Sequence, residues 1–206
     1  VVGPIARSAD DLELLLKILL RKERPLVADL APPPQDVRTL RVAAWLDDPF
    51  CPIDTEELDV ITAATDALEA SGIGVDRTAR PDIDVAAASS LGNWLVFAAL
   101  AQSSPSDADP ARAATHRAWL DAHLAREAIR AKWADFFTRY DALLMPVAFV
   151  PPFPHDHSAT FGTRTLICNG ATRPYLDLVR WTILTGMAYL PATVPPVGLS
   201  KSKLPI

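Results

Sequence analysis

Three places in this 206-residue chain carry residue types that could do chemistry. His155-Asp156-His157, in a Pro-rich stretch, has the ligand types of a zinc site, with Cys168 as a further candidate. A usual site needs three or four ligands at defined spacing, and none completes this one, because His116 and His123 fall on a charged helical pattern. An exposed polar turn without a metal is the expectation. Ser89-Ser90 offers a hydroxyl nucleophile, which needs an activating base and usually sits on a strained turn. Both serines lie in an Ala-rich helical pattern with no neighbouring Lys or His, so helix packing is expected. Asp10-Asp11 has the form of paired carboxylates, but at a helix start it simply complements the macrodipole. There is no G-x-S-x-G turn, Gly-rich phosphate loop or zinc-protease helix. By residue type and spacing alone, the chain contains no catalytic centre.

The elements that would position such residues follow from pattern. Gly3-Pro4 makes a bend, Ser8 is placed as an N-cap, and Leu12, Leu15, Leu16 and Leu19 mark one helical face. Arg21 to Val37 is charged, then Pro-rich, and reads as an exposed connection. Leu40 to Leu46 predicts a strand. Asp54 caps a helix, with Glu57 three residues later as in a capping box, and Leu58, Ile61, Thr65 and Leu68 form its inner face. Gly72 stands at its C-terminal end and Ile73 to Val75 starts a second strand, which makes a βαβ unit with a parallel pair.

A helix from Asp82 or Asp84 to about Ser103 follows, broken by Pro105 and Pro110. A second runs from about Arg112 to Tyr140, and Asp141 to Pro146 predicts a short buried strand. Pro146 to Ser158 can be neither a central strand nor a helix interior. Thr163 to Cys168 reads as a minor strand, Pro174 introduces a helix over Tyr175 to Met187, and Leu190 to Pro195 reads as a strand. Leu204 to Ile206 has the look of a further strand start.

Composition narrows the function classes. Half the residues are hydrophobic and 22% are charged, which is a globular balance. A net charge of −5, with five scattered lysines, argues against a nucleic-acid partner. No apolar run is long enough to span a bilayer, so no membrane partner is expected. Cys51 and Cys168 read as buried free thiols in a reducing cytoplasm.

Four stretches in order resemble the amidase signature family. They are Gly3-Pro4-Ile5-Ala6-Arg7-Ser8-Ala9-Asp10-Asp11-Leu12, the strand Leu40 to Leu46 with the helix ending at Gly72, Tyr140 to Pro146, and Gly186 to Gly198. The resemblance implies an α/β fold in which this chain supplies part of a mixed β-sheet flanked by helices. It implies one incomplete amidase domain over residues 1–206, with a helical insert at about 82–140. It further implies amide hydrolysis through a Ser–cis-Ser–Lys triad lying before the Gly-Pro-x-Ala-Arg segment, so that no catalytic residue is expected in this chain and the chain alone should be inactive. No cofactor or metal is implied.

What could remain is part of a pocket for a small-molecule amide. By position in the family, the candidate substrate-binding residues are Thr182, Thr185, Gly186 and Tyr189, with Trp94 and Phe97 behind them. The alternatives are an amidotransferase A-type subunit and a non-catalytic binding protein on the same scaffold. An open sheet edge, where further strands should pair, predicts self-association.

Overall fold

The computed structural model describes residues 3–19, 32–101, 115–157 and 160–206. The chain divides into two units, Val1–Gln35 and Asp36–Ile206. In the first, α1 (Ala9–Leu19) starts as the capping pattern predicts, with the Asp11 N–H donating to Ser8 Oγ at 3.1 Å. Lys17 pairs with Glu13 one turn earlier at 2.5 Å, and no residue of α1 is buried. Of the expected connection, residues 21–31 lie outside the described residues, and Pro32, Pro33 and Pro34 are exposed.

The second unit is built on a parallel sheet. β1 (Val42–Ala44) lies between β2 (Val75–Asp76) and β3 (Ala142–Leu144) in the order β2-β1-β3. Its residues are all buried, as a strand covered on both faces requires. The connection from β1 to β2 is α2 (Thr55–Ala70), so the βαβ reading holds. Asp54 caps α2 by accepting from the Glu56 N–H at 3.0 Å, and Gly72, at φ +95°, ends it in the left-handed region that glycine adopts without strain.

The register of β3 on β1 is locked by one pair. Arg41 grips Asp141 with Nη2–Oδ1 at 2.6 Å and Nε–Oδ2 at 3.0 Å, which holds that carboxyl down at about 2. Tyr140 donates to Asp76 at 2.5 Å and ties β2 to the approach of β3. That bond pulls the carboxyl below its usual range and pushes the phenol up.

Between β2 and β3 run α3 (Val85–Ala101) and α4 (His116–Arg139). Asp84 accepts from the Ala87 N–H and Thr115 from the Ala118 N–H, so both helices begin on a capping side chain. The expected extension of α3 to Ser103, the start of α4 at Arg112, and the breaks at Pro105 and Pro110 lie outside the described residues.

Antiparallel pairing occurs in a separate hairpin, β4 (Thr165–Cys168) with β5 (Ala171–Pro174). Its two-residue turn is Asn169-Gly170, both at positive φ (51° and 79°), a twist that matches the strands it joins. Strand β5 replaces the expected direct entry from Pro174 into a helix. The Tyr175 N–H donates back to Arg164 O at 3.0 Å, so a 3-10 turn over Tyr175–Val179 precedes α5 (Arg180–Gly186).

Leu190 to Pro195 does not form the expected strand. Pro191 and Pro195 have no N–H to give a ladder, and the segment runs as unpaired chain. Leu204 to Ile206 folds back on Val197 to Ser200 through Val197 N–H to Ile206 O at 2.6 Å and a bridge between Leu199 and Pro205.

The core joins these parts. Trp45, Trp133, Trp181, Phe136 and Phe149 are fully buried, and Trp45 meets Trp181 edge-on at 5.5 Å. Cys51 and Cys168 are buried and free, and burial pushes both thiols up.

Candidate functional site

A cleft of about 900 Å³ lies beside β3, which is a terminal strand of the described sheet. Three walls define it. The inner face of α2 brings Ile61, Thr65 and Leu68; β3 and the Pro-rich chain to Phe153 form the second; α5, with Trp181, Thr182 and Thr185, forms the third. The 190–195 segment, which joins no strand, closes one side, so the prolines that keep it out of a sheet leave it free to serve as a wall. The size and apolar lining are those of a small-molecule site with few polar groups.

Those polar groups are mostly satisfied. Thr65 Oγ1 donates to Ile61 O at 2.8 Å, Thr182 Oγ1 to Val179 O at 3.3 Å, and Thr185 Oγ1 to Thr182 O at 3.1 Å. Each hydroxyl keeps lone pairs as acceptors. Asp141 lines the cleft too, but its charge is held by Arg41.

Glu57 is different. It is 6% exposed and lines the cleft, and its Oε2 takes no hydrogen bond. Burial pushes its carboxyl up to about 7, and the nearby charge of Asp54 adds to the effect. Among the described residues, no Lys, Arg or His lines the cleft.

The six candidate residues separate. Thr182 and Thr185 line the cleft. Gly186 ends α5 outside it, with open space where a side chain would stand. Tyr189, at φ 60°, lays its ring against Arg126 and Arg130, with guanidinium carbons 4.6 and 5.2 Å from its centre. Trp94 faces Trp119 at 6.3 Å on the α3–α4 side, and Phe97 is exposed on α3. A Cβ at Gly92 would stand 2.6 Å from Ile183 and 3.3 Å from Met187, so the glycine lets α3 pass close to α5 at that point.

The other groups of chemical interest stay apart from the cleft. His155 and His157 are exposed with ring centres 5.9 Å apart, and among the described residues no three His, Cys, Asp or Glu side chains gather to hold a metal. Ser89 is buried inside α3, and His123 is hydrogen-bonded to Arg126. No helix among the described residues is long and apolar enough to cross a membrane.

Sequence reasoning passed over Glu57. Its spacing from Asp54 fits a capping box, and that pattern accounts for a glutamate without sending it inward. The available signal was its place one turn before Ile61, on the same face of α2.

Comparison with known proteins agrees with this architecture. Over 83% of its length the chain is similar to the crystal structure of a bacterial aryl acylamidase belonging to the amidase signature enzymes, with a TM-score of 0.54 and 21% identity. It spans 39% of that enzyme's length. At that identity the likeness establishes the α/β fold. No curated protein matches the chain. The family model described as Amidase matches residues 107–206, the stretch that contains α4, β3, the hairpin, α5 and the closing wall of the cleft. Residues 107–206 thus match the Amidase family model, and the similar solved structure is itself an amidase signature enzyme.

Proposed function

We propose that this chain is part of an amidase that hydrolyses carboxylic amides, and that the cleft beside β3 holds part of the substrate. The family match over residues 107–206 carries this reading. In it, the Ser–cis-Ser–Lys triad is encoded upstream of Gly3, and this chain contributes binding surface rather than the nucleophile or base. Loss of nucleophile, base and oxyanion donors together leaves no route to turnover, so the 206-residue chain by itself is inactive.

Within the cleft, the apolar walls exclude water from the bound part of the substrate, and Thr182 and Thr185 offer hydroxyl acceptors from α5. In this reading Gly186, which ends α5, Tyr189 beyond it, and Trp94 and Phe97 on α3 belong to binding surface outside the cleft. The enzyme acts in the cytoplasm without a cofactor. The free edge of β3 is where further strands pair, or where a second copy associates when they are missing.

The test is the upstream reading frame. It should encode a Gly/Ser-rich loop with the two serines and the lysine, and the extended protein should release amine from acyl anilides while the 206-residue chain does not. A frame without those residues, or turnover by the short chain, would contradict the proposal.

A further inference from the structure

The carboxyl of Glu57 is the polar group of the cleft that the fold leaves without a use. Asp54 already caps α2, and Asn169 completes that end by accepting from the Thr55 N–H at 2.9 Å. Glu57 is therefore not needed for the cap, and its Oε2 is buried without a hydrogen bond. A buried acceptor in that condition is costly to the folded state unless something supplies a donor. Among the described residues the lining supplies none with charge, since its charged members there are Glu57 and the already paired Asp141.

We propose that the cleft binds a small organic amine, a primary ammonium carried on an aryl or alkyl body, with the Glu57 carboxylate as the ammonium's partner. The body fits the chemistry of the walls, where Ile61, Leu68, Leu143, Met145 and Trp181 present apolar surface around about 900 Å³. The ammonium brings three donors, of which the carboxylate takes one or more, and Thr182 and Thr185 offer hydroxyl acceptors on another wall of the same cleft. A divalent metal ion does not fit, because a hard cation takes six or more oxygen ligands and no cluster of ligating side chains surrounds Glu57 among the described residues. An anion does not fit, because both charged side chains that the described residues bring to the lining are acidic.

This deepens the proposed function by giving the substrate a basic group, and it rests on that reading for its place in turnover. Binding itself requires no hydrolysis, so the two can fail separately.

The experiment is calorimetric titration of the 206-residue chain with 4-phenylbutylamine and with its neutral counterpart 4-phenylbutan-1-ol, at pH 8, in wild type and Glu57→Gln. The amine should bind saturably and about tenfold more tightly than the alcohol in wild type, and Glu57→Gln should bring the two to equal affinity. Absence of saturable amine binding, equal binding of both probes to wild type, or an amine preference that survives in Glu57→Gln would overturn the proposal. A second readout needs no variant: in ¹³C spectra of the wild-type chain, bound amine should lower the titration midpoint of the Glu57 carboxyl carbon and the alcohol should not. An unmoved midpoint would overturn it equally.

Discussion

Asp54 and Glu57 stand three residues apart at the start of one helix and meet opposite surroundings. Asp54 faces the hairpin, where its carboxylate accepts from the N–H groups of Glu56 and Asn169. Asn169 returns the contact with Oδ1 to Thr55 and Nδ2 to Ile53 O, so both side chains of that corner are hydrogen-bonded. The same side holds Asp177, buried between Arg173 and Arg180 at 2.9 Å each. On the other side of α2, Glu57 meets apolar walls, an unpaired strand edge and a proline-stiffened segment. One side has the closed polar network of a finished core; the other keeps a carboxyl unsatisfied, as a binding site does before its ligand arrives.

The comparison breaks most severely at Asp177. Asp177→Ala leaves two guanidiniums around a buried gap and should cost about 3–4 kcal/mol, read as a shift in denaturant midpoint. A loss below about 1 kcal/mol would mean that the closed side is not what holds the hairpin and α5 to the core.

Glu57 should give the next largest effect, as a dependence on pH. Its folded value of about 7 lies above the ordinary 4.5, so the native state keeps a proton that the unfolded chain has already released. Stability therefore falls as pH rises from about 4.5 to about 7 and levels off above, by up to about 3 kcal/mol for such a shift. Desolvation sets the shift, with the charge of Asp54 secondary. Glu57→Leu should flatten that slope and stabilise the chain at pH 8; melts of both proteins from pH 4 to 8 check it.

Gly170→Ala is a smaller perturbation, because open space surrounds the glycine and only its φ of +79° is at stake. A loss of about 1 kcal/mol is expected. Thr185→Leu should change stability least, by under about 0.5 kcal/mol, since it adds apolar surface to an open wall. In the extended enzyme it should alter relative rates across acyl chain lengths, and unchanged relative rates would remove Thr185 from the substrate surface.

Much of this molecule is legible in its residues, and the exceptions have physical causes. The capped helix between two strands is local information: Asp54, the Ile61–Thr65–Leu68 face and Gly72 each act within one turn of the chain. Strand β5 departs from the expected helix start although Asn169-Gly170 is a strong hairpin signal, because Pro174 fits both a strand end and a first helical turn. Leu190 to Pro195 has strand composition, but its prolines deny the ladder, so it became a wall instead. Trp94 and Phe97 have the bulk of pocket residues, yet the direction of an Ala-rich helix depends on which small residue its neighbour packs against, and here that residue is Gly92. Glu57 was hidden by a local rule that happened to fit it.

The most direct test of the contrast between the two sides of α2 is the titration of the Glu57 carboxyl carbon by ¹³C spectroscopy in the 206-residue chain without ligand. A midpoint near 7 is expected, moved upward by burial against the apolar cleft. A midpoint near 4.5 would mean that the carboxyl is solvated or already partnered, and would contradict the account of the cleft as a site built around it.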